Sequence, residues 1–173
     1  NEFFAHMGPL AIGWLLAFLN RCFLECRLPS IWRKAKVVAT PKPGKPLDDP
    51  KSYRPISLLC VPYKIMERLI LSRINDIVEP QLPPEQAGFR KGRSTQDQVL
   101  KLTQDIEASF EEGDKVGAVL VDLTAAYDTV WHTGLTAKLL CVLPCKPIVK
   151  FIMELISNRS FVLHAGGQVS RLR

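Results

Sequence analysis

The chain has 173 residues, 47% of them hydrophobic, which is enough to bury a sizeable core in one domain and excludes a disordered tail. Its net charge is +6, and the distribution says more than the total: between Arg27 and Arg54 eight cations face only Asp48 and Asp49, so this stretch accounts for the whole excess and favours an anionic partner. Five cysteines without a CxxC pair or a histidine at ligand spacing argue against a zinc site. They fit buried thiols in a reducing intracellular compartment, nuclear or cytoplasmic.

Leu10, Leu15, Leu16, Phe18, Leu19, Cys22 and Phe23 recur at helical spacing, and Pro29 follows soon after. The apolar run Pro9 to Leu19 is too short to cross a bilayer, so a core helix and no membrane contact are expected. Lys36 to Thr40, with its paired valines, predicts a strand. The following Pro41 to Pro46 segment excludes regular structure and places Lys42 and Lys45 on a loop expected to run to Pro55. From Tyr63 to Val78 seven apolar positions fit one helical face, stopped by Pro80, Pro83 and Pro84.

Gln86 to Arg93 holds two glycines and three cations, after which Ser94 and Asp97 predict the capped start of a helix reaching about Glu112. Val116 to Val121 has the composition of a strand buried on both faces, with Asp122 at its carboxyl end. Helices are expected over His132 to Val142 and Lys146 to Ser157. A hairpin turning on Gly166 and Gly167 closes the pattern. Strands alternating with helices give an α/β or α+β class, helix-rich with a small sheet.

A carboxylate directly after an apolar strand must be solvated, paired or bound to a cation. Taken alone, Asp122 reads as a helix cap, with Thr124 and Asp128 opening the next helix; the other reading is a ligand for Mg²⁺, which takes hard oxygen donors and leaves room for phosphates. His6, His132 and His164 lack a nucleophile or metal partner at a recognisable spacing and read as structural.

Four strings in order change the balance: IWRKAKVVATPKPGK, SYRPISLL at Ser52 to Leu59, EQAGFRKGRSTQDQ at Glu85 to Gln98, and VLVDLTAAYDTVWH at Val119 to His132. Together they resemble the successive blocks of reverse transcriptases from jockey-like non-LTR retrotransposons, and the resemblance extends to NRSF at Asn158 to Phe161. Group II intron maturases and telomerase-like enzymes are related alternatives; the AAYD string and the KPGK loop favour the retrotransposon lineage.

The resemblance implies a single partial reverse transcriptase domain in right-hand polymerase form. Residues to about 115 would form an N-terminal extension and fingers, and about 116–173 the first part of the palm, with an incomplete sheet and a C-terminal hairpin. It implies an RNA template, a DNA primer and deoxynucleotide triphosphates as partners, together with the missing remainder of palm and thumb, and Mg²⁺ as cofactor.

By position, Asp122 matches a catalytic metal-binding aspartate and Leu123 would add its backbone carbonyl. Tyr127 matches the aromatic beneath the incoming sugar, where a ring leaves no volume for a 2′-hydroxyl. Arg54, with Lys42 or Lys45, would hold the triphosphate. Gln86, Gly88, Phe89, Arg90, Lys91 and Arg93 match a block associated with the template, through close backbone approach, stacking or phosphate neutralisation; Phe89 reads equally well as a core residue.

The resemblance places the adjacent aspartate pair that completes the metal site shortly after residue 173. Two-metal chemistry holds its ions about 3.5–4 Å apart with several carboxylates, so Asp122 alone should bind Mg²⁺ poorly and this chain should not polymerise by itself. A sheet short of its central strands should leave apolar surface exposed. The alternative function is a non-catalytic nucleic-acid-binding remnant of a retroelement.

Overall fold

The computed structural model describes residues 2–173. They group into two compact units, residues 2–76 with 132–173, and Ile77–Trp131.

In the first unit, a short helix α1 (Glu2–Ala5) precedes α2 (Pro9–Leu24). Proline at the first helical position suits α2 because its missing N–H would have been unpaired there. The helix ends five residues before Pro29, at a left-handed Cys26 (φ 50°). The Cys26 and Arg27 amides donate to the Phe23 and Cys22 carbonyls, closing a Schellman turn without its usual glycine.

Helix α3 (Val61–Val78) buries Tyr63, Met66 and Ile70, spaced three and four apart on one face. Helices α5 (His132–Val142) and α6 (Lys146–Ile156) follow later in the chain, and α6 buries Val149, Phe151 and Leu155. Leu19, Cys22, Leu28, Trp32, Tyr63, Met66, Ile70, Phe151 and Leu155 form one apolar core. Fully burying a side chain of the size of Phe151 contributes roughly 1.5–3 kcal/mol.

Two polar clusters lie at the edge of that core, and of their buried atoms Arg33 Nε has no hydrogen-bond partner. The Tyr63 hydroxyl donates to the Leu155 carbonyl at 2.6 Å and accepts from Arg159, whose guanidinium also lies over the Tyr63 ring and 3.6 Å from Glu67. Burial pushes the Tyr63 phenol up from its ordinary range against the opposing pull of Arg159, so it remains a donor. Arg33 pairs with Glu154.

The sheet has the order β2-β1-β3-β4, built from β1 (Lys34–Pro41), β2 (Tyr53–Leu58), β3 (Ser160–Ala165) and β4 (Gln168–Val169). Strand β1 is antiparallel to β2 and parallel to β3, while β3 and β4 form the expected hairpin on two left-handed glycines. The loop expected to reach Pro55 stops earlier, because β2 contains that proline. It is an edge strand, where a missing N–H costs no second ladder.

The second unit contains α4 (Thr95–Glu111), opened by a complete capping box: the Ser94 hydroxyl accepts from the Asp97 amide and the Asp97 carboxylate accepts from the Ser94 amide. Left-handed Gly113 closes it in a second Schellman turn.

Further expectations fail. Val116 to Val121 forms no strand, and Leu120 is 96% exposed. Apolar β-branched composition suits a buried strand, but a strand forms only when its amides and carbonyls find a neighbouring one, and none of the four strands pairs with this segment. The cysteines are free as expected but not uniformly buried: Cys22 is, whereas Cys141 lies on the open side of α5. Among the described residues no helix is long and apolar enough to cross a membrane.

Candidate nucleotide and template site

Strands β1 and β2 form a long hairpin whose connection carries the cationic loop. Arg54 lies near the loop end of β2, opposite Thr40 and exposed. The loop is tied down at its base. The Lys42 amide donates to the Ser52 carbonyl at 2.7 Å, the Lys42 ammonium donates to the Lys51 carbonyl at 2.8 Å, and the Tyr53 hydroxyl donates to the Leu47 carbonyl at 2.9 Å. Asp49 caps the short 3-10 turn Pro50–Ser52 by accepting from the Lys51 amide. At the tip, Gly44 takes a left-handed φ of 70° and Lys45 beside it is exposed. The hairpin therefore brings Arg54, Lys42 and Lys45 to one end and distinguishes the lysines. Lys42 is held by the loop itself; Lys45 is exposed.

In the second unit, the segment after the 3-10 turn Glu79–Gln81 is organised by Arg90. Its Nε donates to Glu79 at 2.8 Å, and its Nη1 to the carbonyls of Pro83 at 2.8 Å and Gln86 at 3.0 Å, with the side chain almost wholly buried. Three of its donor contacts are thus used to hold this turn together. Lys91 and Arg93 remain exposed.

The turn lifts Phe89 outward: it has φ 61°, a left-handed conformation that costs a bulky residue energy, and it is 98% exposed. Its core reading is thereby excluded. Gln86 and Gly88 lie on the same turn, and a Cβ at Gly88 would meet only the Gln86 side chain at 3.4 Å, an ordinary contact. Space inside the protein does not demand that glycine.

The exposed Phe89 ring meets the exposed Tyr127 ring edge-to-face, with centroids 6.3 Å apart. Two residues 38 positions apart in sequence, each expected to face nucleic acid or nucleotide, are thus in contact. Asp122 and Leu123 lie on the exposed segment leading to Tyr127. No helix starts at Thr124 or Asp128; the chain turns on Ala125, whose carbonyl accepts from the Asp128 amide at 2.9 Å and the Thr129 amide at 3.1 Å. The capping reading of Asp122 and Asp128 has no helix to cap.

A Mg²⁺ site built on Asp122 would have one carboxylate and the Leu123 carbonyl as protein donors. Among the described residues no three His, Cys, Asp or Glu side chains converge on a metal position. The donors fit part of an octahedral oxygen shell, with the remainder left to phosphate, water or further carboxylates.

The sequence pattern of the family described as "Reverse transcriptase (RNA-dependent DNA polymerase)" matches residues 40–170. Over 162 residues, 92% of this chain, it is 38% identical to the "Probable RNA-directed DNA polymerase from transposon BS" of Drosophila melanogaster. It is 35% identical to the "Probable RNA-directed DNA polymerase from transposon X-element" of the same fly, again over 92% of the chain. It is 31% identical over 94% of the chain to the "RNA-directed DNA polymerase from mobile element jockey". The matched region is 18% of each of these relatives, so the chain spans less than a fifth of their length.

Proposed function

Because the chain belongs to the reverse transcriptases of non-LTR retrotransposons, we propose that it is the fingers and first palm segment of an RNA-directed DNA polymerase that extends a primer with deoxynucleotides on an RNA template. The observation that carries this reading is the pattern match through residues 40–170, which takes in Arg54, Asp122 and Tyr127 together.

In the reaction, the primer 3′-oxygen bonds to the α-phosphorus of the incoming nucleotide, the bond to the β-phosphate oxygen breaks, and pyrophosphate leaves. The charge that develops is spread over phosphate oxygens, and fixed cations near them lower the barrier. Arg54 is assigned to the triphosphate because its planar fork can donate two parallel hydrogen bonds. Lys45 is its partner, since the Lys42 ammonium is already used by the Lys51 carbonyl. Asp122 and the Leu123 carbonyl would hold Mg²⁺, which when bound supplies Lewis-acid neutralisation of the phosphates.

Tyr127 is assigned to the floor beneath the sugar, and the edge of Phe89 against it supports that ring's position. On the template side, Lys91 and Arg93 neutralise phosphates, Gln86 and Gly88 present the turn backbone, and Arg90 keeps that turn in shape through Glu79, Pro83 and Gln86.

The test is substitution within a complete polymerase carrying this segment. Asp122→Asn should slow incorporation by at least about 100-fold, a barrier increase of about 2.7 kcal/mol. Unchanged synthesis would refute the assignment. The 173-residue chain alone, with one carboxylate at the site, should not extend primers, and robust incorporation by it would refute that expected inactivity. The net charge of the Arg27 to Arg54 stretch supports a second reading, a non-catalytic nucleic-acid-binding remnant. Salt-sensitive RNA binding combined with synthesis indifferent to Asp122 would favour it.

A further inference from the structure

Phe89 stands where neither packing nor backbone preference accounts for a phenylalanine. Its φ of 61° lies in the left-handed region, which a bulky side chain enters only at a cost, and 98% of its surface is exposed, so burial does not offset that cost. The turn that carries it is nonetheless fixed. Arg90, the next residue, donates through its side chain to Glu79 and to the carbonyls of Pro83 and Gln86, and its amide donates to the Ala87 carbonyl at 3.4 Å. A sparsely populated backbone conformation held by such a framework points to a side chain whose position matters. What that position creates is the contact with Tyr127, with ring centroids 6.3 Å apart and ring planes at 80°. Both residues belong to the unit Ile77–Trp131.

Tyr127 needs such a support. It is 76% exposed, on a segment that is neither helix nor strand, where the turn on Ala125 fixes the backbone but not the ring. Exposed side chains exchange rotamers within nanoseconds. A ring excludes a 2′-hydroxyl only while it occupies the rotamer that fills the space.

We propose that Phe89 is a positioning residue for sugar selection: its ring holds Tyr127 in the rotamer that leaves no room for a 2′-hydroxyl, so Phe89 sets how strongly deoxynucleotides are preferred over ribonucleotides. The inference rests on the assignment of Tyr127 to the floor beneath the incoming sugar. An edge-to-face pair shifts the balance between held and released ring by about 2- to 10-fold, and the preference should change by the same factor when the pair is lost.

The test is made in a complete polymerase carrying this segment. The ratio of kcat/KM for a deoxynucleotide to that for the matching ribonucleotide should fall about 2- to 10-fold in F89L, which keeps an apolar side chain but removes the ring, and should be restored in F89Y, which keeps the ring. Template and primer are the same for both substrates, so a weakened hold on the template lowers both efficiencies together and leaves their ratio unaltered. An unaltered ratio in F89L, or an equal loss in F89Y, overturns the proposal. Tyr127→Ala separates it from the assignment on which it rests. If Tyr127→Ala also leaves the ratio unaltered, the sugar-floor assignment is refuted and the inference with it; a loss in Tyr127→Ala without one in F89L refutes the inference alone. In the 173-residue chain, which has three tyrosines, the ring resonances of Tyr127 should shift in F89L while those of Tyr53 and Tyr63 stay in place. Stationary Tyr127 resonances would overturn the proposal as well.

Discussion

Replacing Tyr63 by phenylalanine removes a single oxygen from the edge of the core and isolates what the Tyr63–Arg159 contact contributes. The hydroxyl donates to the Leu155 carbonyl at 2.6 Å and accepts from Arg159. The carbonyl would not be orphaned, because Arg159 Nε also reaches it at 3.2 Å. The expected cost is thus the net value of one or two hydrogen bonds, about 1–2 kcal/mol, rather than that of a stranded polar group. Tyr63→Ala also leaves a cavity at a fully buried position and should cost about 3–5 kcal/mol.

In urea, with a slope of about 2 kcal/mol/M, these become midpoint shifts of about 0.5–1 M for phenylalanine and at least about 1.5 M for alanine. Buried Trp32 belongs to the same core cluster and reports its unfolding by fluorescence. Arg159→Ala combined with Tyr63→Phe should cost less than the sum of the two single changes, since both remove one contact. A Tyr63→Phe midpoint equal to that of the unaltered chain, or to that of Tyr63→Ala, would refute this account of the core edge.

Ser94→Ala should weaken the start of α4 by about 1 kcal/mol, seen as faster amide exchange in its first turn; unchanged exchange would mean that the capping box does not hold this helix. Burial raises the Glu67 carboxyl above its ordinary range, with Arg159 opposing, so the folded chain holds that proton more tightly than the unfolded one. Its contribution to stability is therefore present below the ordinary glutamate range and lost as pH rises through the raised folded value. Glu67→Gln should remove that component, flattening stability from the ordinary glutamate range upward, and an identical pH profile in the variant would contradict it.

Local rules made several elements readable in the chain. Tyr63, Met66 and Ile70 mark the buried face of α3 because helical periodicity and burial coincide there. Ser94 and Asp97 announce α4 because a capping box is completed within four residues. The two glycines of the C-terminal hairpin supply the left-handed turn that its strands require. What escaped depends on neighbours. Pro55 argues against a strand until β2 is known to be an edge, and Cys26 ends α2 in a conformation more typical of glycine.

The candidate site divides in the same way. The motif residues from Arg54 to Tyr127 were readable by type and order, but the roles of cations were not. Arg90 and Arg93 look alike in sequence, yet one is spent on Glu79 and two carbonyls while the other is exposed. Lys42 and Lys45 are likewise separated only by the Lys51 carbonyl. His164, read as structural, is brought beside Val38 only by the strand register.

By itself the amino-acid order determined the family, the long helices, the Ser94 cap and the chemical character of the site, because these follow from side-chain type and from spacings of a few residues. Tertiary structure alone decided which cations are free to meet phosphate, that Phe89 reaches Tyr127, and that Val116 to Val121 forms no strand. Each of those outcomes depends on partners distant in sequence, and a hydrogen bond or ring contact across such a separation leaves no local pattern to read.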